Sequence, residues 1–169
     1  MNNNKVSSDA CRVNGWIIVA AGMTAGVLDL VYAVATVVLH GMPPAVVPMV
    51  IASGVLGPAA FHGGAGVAIL GLALHMGILV VAAGLYALLS RRIPLLGSGP
   101  IIPGMVYGLL VYLFMHLVVL PLSLAPPFKN TVGMVAMDIA VHVLVLGPVL
   151  SLAAKAVRPG DAPREFAAF

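Results

Sequence analysis

Charge is what this sequence has least of: 8% of its 169 residues are Asp, Glu, Lys or Arg, against 62% hydrophobic. Soluble domains carry about a quarter charged residues, so a soluble globular fold is excluded. There is one cysteine, Cys11, which rules out an internal disulfide. Aromatic residues make up only 6%, leaving little with which to wall a porphyrin. The chain has no C-x-x-C-H run for covalent haem attachment and no H-E-x-x-H metal motif. It also lacks a catalytic serine motif, a Gly-rich phosphate loop and any acylation or prenylation signal, so no enzymatic signature is present.

What is present is apolar length. Stretches 16–39, 65–89, 101–124 and 132–155 each reach the roughly 20 apolar residues that a membrane-spanning helix needs. None alternates polar and apolar positions, and lipid leaves backbone groups no partner outside a helix or closed barrel. The expected fold is therefore an all-α integral membrane protein, a single four-helix transmembrane domain over 16–155. Polar residues 1–15 are expected to form a short mobile tail, and 156–169 a second tail, disordered after Arg158. Ala33-Val34-Ala35 resembles a signal cleavage site, but the run is too long and contains Asp29; an uncleaved first helix is the better reading.

The formal charge of +3 does not point to nucleic acid, because the cations mark helix flanks. Lys5, Arg12, Arg91, Arg92, Lys155, Arg158 and Arg164 lie at one end of the four stretches, and only Lys129 at the other. The positive-inside rule then puts both termini in the cytoplasm of a multi-pass protein, read as one of the bacterial inner membrane. Its first partner is the lipid bilayer, with a homo-oligomer or a membrane partner subunit left open. Connection 40–64 is rich in proline (Pro43, Pro44, Pro48, Pro58) yet apolar. Its part 45–58 is too short to span, and reads as an interfacial or re-entrant helix over the outer mouth, or as an apolar loop on the headgroups. The Pro94 to Pro103 segment reads as a turn between antiparallel helices.

Faces can be assigned from small residues. Gly22 and Gly26, and Gly104 and Gly108, have the G-x-x-x-G spacing that lets two helices approach closely. Asp29 shares the face of Gly22 and Gly26, while Val80 is expected to face lipid. Ala68, Gly71, His75, Ala82 and Tyr86 form one stripe, and Gly108, Tyr112 and His116 another. Asp138 and His142, four apart, are expected to touch. Counted from the outer end, Asp29, His75 and His142 lie about 15 Å deep, His116 about 12 Å and Asp138 about 9 Å. An Asp costs roughly 2.5–3.5 kcal/mol at mid-membrane on insertion scales, so such groups face a partner, a ligand or water.

From His75 onward the chain resembles the YagU-like family of small bacterial inner-membrane proteins. The marks are His75 followed by Tyr86, His116 followed by Pro121-Leu122 and Pro126-Pro127, and Asp138 four before His142, where the family tends to have Glu and His. They cover roughly the second to fourth stretches. The resemblance implies an association with acid resistance, without a defined substrate. Asp29 has no counterpart in it.

Three chemistries suit the cluster of Asp29, His75, Tyr112, His116, Asp138 and His142. His75, His116, Asp138 and His142 offer three imidazoles and a carboxylate for a transition metal, with Asp138 alternatively orienting His142. Two histidines on different helices, such as His75 and His142, could hold b-type haem. Imidazoles titrating between about pH 5 and 8 near the outer face suit a proton-responsive or proton-conducting role. Against these stands simple interhelical packing, since polar contacts between membrane helices are common. His40 and His62 read as loop residues, and the methionines, Met23, Met76, Met115, Met134 and Met137, as packing or lipid contacts.

Overall fold

The computed structural model describes residues 3–97, 99, 101–127 and 131–156. Among these residues the chain is all-α. Its elements are α1 (Asn3–Leu39), α2 (Val46–Leu56), α3 (Gly64–Arg92), α4 (Ile101–Leu122) and α5 (Val132–Lys155), with a 3-10 turn over Gly57–His62 and a helical turn over Pro94–Gly97. Four helices are long and apolar enough to cross a membrane: Gly15–Leu39 within α1, and α3, α4 and α5. Lys129, Arg158, Arg164 and the tail from 157 onward fall outside the described residues.

Boundaries differ from expectation in informative ways. Helix α1 begins at Asn3, although the polar stretch 1–15 was expected to be a mobile tail. Residues 3–14 contain neither Pro nor Gly, and adding turns to an existing helix avoids the cost of nucleation. At the other extreme α4 stops at Leu122 rather than 124, because Ser123 turns extended (φ −85°, ψ 169°). The segment after Arg92 is not all turn; Pro94 opens a helical turn and Pro103 lies in the first turn of α4, where its missing N–H costs nothing. Thr131 starts α5 by accepting from the Met134 N–H.

Packing is inside-out relative to a soluble bundle. The core is dominated by alanine and tyrosine (Ala21, Ala25, Ala82, Ala83, Ala87, Tyr86, Tyr107), while leucine and valine cover the outside. Helices that must associate in lipid do so through close approach of small residues. A Cβ at Gly22 would meet the Val80 backbone, so α1 lies directly on α3. Val80 is therefore not a lipid-facing position; its own backbone is the floor of that contact. Gly104 and Gly108 receive α5 at Gly147 and at the His142 carbonyl, which makes Gly147 a third partner in their motif. Helix α5 also touches α1 and α3, joining the two helix pairs.

A polar node locks the end of the bundle where α3 and α5 finish. The Tyr86 hydroxyl, 1% exposed, lies 2.9 Å from Ser151 Oγ and donates to the Leu96 carbonyl at 3.2 Å. Tyr107 packs edge-on against it at 4.9 Å and donates to the Ala82 carbonyl at 2.8 Å. Interhelical polar contacts in membranes average about 0.6 and reach about 1.7 kcal/mol. Tyr86→Phe should lose stability in that range by thermal unfolding in detergent, and Ser151→Ala added to it should cost almost nothing more. Full additivity of the two changes would show that the hydroxyls act separately.

Across the opposite end runs α2. A Cβ at Gly71 would strike the Pro48 carbonyl, so the start of α2 rests on α3 about 10 Å along that helix from Gly64. The far end of α2 meets the end of α4, where the Leu124 N–H donates to the Gly54 carbonyl at 3.0 Å. Gly57 carries φ 63°, a left-handed value open to glycine, and turns the chain at that junction. Most of segment 45–58 is thus helix α2, which lies across the mouth of the bundle with Val47, Pro48, Ala52 and Ser53 buried.

Candidate functional site

Two proline positions shape the site before any ionisable group does. Pro121 and Pro148 lie inside α4 and α5, where each lacks an N–H and crowds the carbonyl four residues earlier. Both helices widen just ahead of the ring into a π turn, over Met115–Val119 and His142–Leu146. The Leu120 N–H reaches back to the Met115 carbonyl and the Gly147 N–H to the His142 carbonyl, five residues each. Such π turns in helices gather at functional sites. Each contains a histidine.

The side chains form two acid–imidazole pairs between helices. Asp29 on α1 places Oδ2 3.7 Å from His75 Nε2 on α3, and Asp138 on α5 places Oδ2 3.7 Å from His116 Nε2 on α4. The expected contact between the Asp138 and His142 side chains is not the one formed. His142 instead donates from Nδ1 to the Asp138 backbone carbonyl at 2.9 Å, which leaves the carboxylate to His116 across the interface. The spacing of four correctly puts the two residues on one face, but it cannot say which atom of Asp138 the ring will reach.

Carbonyl partners fix where each ring carries its proton, because a carbonyl can only accept. His75 donates from Nε2 to the Gly26 carbonyl at 3.0 Å, while a Cβ at position 26 would meet the Met76 side chain. His116 donates from Nδ1 to the Tyr112 carbonyl at 3.0 Å. In its neutral form His116 therefore turns a bare Nε2 lone pair toward the Asp138 carboxylate. Two acceptors face each other at 3.7 Å unless a proton lies on one of them.

Tyr112 joins the halves. It is 5% exposed, stacks on His116 with ring centres 4.0 Å apart, and meets His142 edge-on at 5.3 Å. Asp29 is within electrostatic reach of His142 and Asp138 as well as His75. All six expected residues thus fall in one neighbourhood, to which every spanning helix contributes. Tyr32 belongs there too, within electrostatic reach of Asp29, Asp138 and Tyr112. Its place three residues after Asp29, on the same helix face, was the available signal. The π turns were signalled by prolines two residues beyond each of them.

The metal set does not assemble. Among the described residues, no three of His, Cys, Asp and Glu come together as a group that could hold a metal ion. Three of the four are divided instead between the two pairs, His142 is bonded to the Asp138 backbone carbonyl, and the b-haem candidate His75 has Nε2 engaged with Gly26. Comparison with protein-family models, curated proteins and solved structures finds no match to this chain.

Proposed function

We propose that this is a multi-pass protein of the bacterial inner membrane whose Asp/His cluster binds and releases protons, a proton-responsive role in acid or envelope stress. The observation that carries the reading is the facing of His116 Nε2 and Asp138 Oδ2 at 3.7 Å, with Nδ1 already committed to a carbonyl. Adding one proton converts an acceptor–acceptor contact into an attractive one, so occupancy is coupled to how closely α4 and α5 approach. The His116 and Asp138 side chains are 27% and 30% exposed, against 10% and 16% for His75 and Asp29, so the first pair is the less enclosed by the protein. The flank cations support termini in the cytoplasm, with the cluster nearer the outer face, where acid arrives. The ordered marks shared with YagU-like proteins support the same reading.

NMR titration of labelled histidines in detergent tests it. Asp138→Asn should move the His116 midpoint and leave that of His75 in place, and Asp29→Asn should do the reverse. If neither histidine responds to its carboxylate, the pairs are packing contacts and the proton reading fails.

A further inference from the structure

Helices α3 and α5 pack together, as do α4 and α5, and an open groove of about 410 Å³ lies between α3 and α4. Tyr107 and Ala82 form its floor, both buried, and the tyrosine hydroxyl points to the Ala82 carbonyl rather than into the groove. The walls are Leu85, Leu89, Leu110 and Phe114, so the lining offers almost nothing polar to water or to a polar ligand. Volumes of this size are typical of ligand sites.

On α3 the groove-lining positions Ile78, Val81, Ala82, Leu85 and Leu89 recur at helical spacing, and the next residue on that stripe is Arg92. Arg92 and its neighbour Arg91 are exposed, and the carboxylates of Asp29 and Asp138 face histidines elsewhere in the bundle. The groove therefore runs along about 16 Å of helix and ends on a cationic pair at the level of the headgroups. Basic residues at that level attract anionic lipids, by about five-fold in affinity for each Lys or Arg.

We infer that this groove is a binding site for an anionic phospholipid, with an acyl chain against Ala82 and Tyr107 and the phosphate at Arg92. Two features of the molecule make the match: an apolar slot open toward the bilayer, and the positive charge of Arg91 and Arg92 at its headgroup end. Proton binding by the Asp/His cluster is not required for it.

A tryptophan reporter and brominated lipids test the site. In a Trp16→Phe background, Leu85→Trp places an indole on the groove wall, and Val19→Trp places one on the outside of α1. The protein is reconstituted in vesicles in which brominated phosphatidylglycerol or brominated phosphatidylcholine is the quencher at equal mole fraction. At Leu85→Trp the anionic lipid should associate about five-fold more strongly or better, and Arg92→Gln should reduce that preference about five-fold. Leu110→Trp on the opposite wall serves if Leu85→Trp does not fold. Equal quenching by the two lipids, a preference unchanged by Arg92→Gln, or the same preference at Val19→Trp would each overturn the site.

Discussion

Gly108→Leu should abolish the folded bundle or bring its detergent stability close to zero. A Cβ at that position runs into the His142 carbonyl and the Gly147 Cα, which are backbone atoms with no rotamer to change. Overpacking a core costs about 1–3 kcal/mol where side chains can give way, and this contact leaves them no way to do so. The same α4–α5 contact sets the distance between His116 and Asp138, so the pair would separate with the helices. Two controls isolate the mechanism. Val81→Leu enlarges a side chain that is 62% exposed and should be nearly silent. Gly77→Ala adds a Cβ with nothing within 4 Å and should stabilise α3 by about 0.5–1 kcal/mol, as alanine does in a helix interior. Thermal unfolding monitored by circular dichroism gives all three values. A Gly108→Leu protein as stable as Val81→Leu would refute the close approach of α4 and α5.

The second large effect is expected at His75. Its removal leaves the Asp29 carboxyl, 16% exposed, without its imidazole, and leaves the Gly26 carbonyl without its extra donor. An unaccompanied Asp at mid-membrane is unfavourable by roughly 2.5–3.5 kcal/mol on insertion scales, so His75→Leu should destabilise by up to about that amount. Asp29→Leu in the same protein should recover much of the loss, because the group that needed a partner is then gone. The double-mutant cycle reads the coupling directly, and the folded fraction is followed by titration from mild into denaturing detergent. Additive losses at the two positions would mean that Asp29 and His75 do not depend on one another.

Much of this was legible in the sequence, for reasons that differ from element to element. Apolar length was enough for the four spans, because a bilayer imposes a length that few other environments require. Small-residue spacing was enough for the packing faces: Gly22 meets α3 and Gly108 meets α5. Which helix each face would meet was not legible, since the spacing of one helix holds no information about its partner. The same limit explains the Asp138 pairing. Residues four apart on one helix are neighbours, and only the approach of α4 brings His116 to the carboxylate. Val80 reads as lipid-facing in the sequence, which does not reveal that its backbone is pressed against Gly22 of another helix. The start of α1 at Asn3 is not legible because polar composition suggests irregular structure, although residues 3–14 hold no Pro or Gly to break a helix.

Each histidine of the cluster has one ring nitrogen tied to a helix carbonyl: Nε2 in His75, Nδ1 in His116 and His142. An imidazole that conducts must receive a proton at one nitrogen, release another from its second, and then turn over to reset. A peptide carbonyl does not carry the released proton onward, and turning the ring would break the bond that orients it. These rings have one working port apiece. Under the proton-binding reading, the arrangement is built as a store of charge between helices, in the manner of a capacitor rather than a wire, and its output is mechanical: a change in how firmly neighbouring helices hold together.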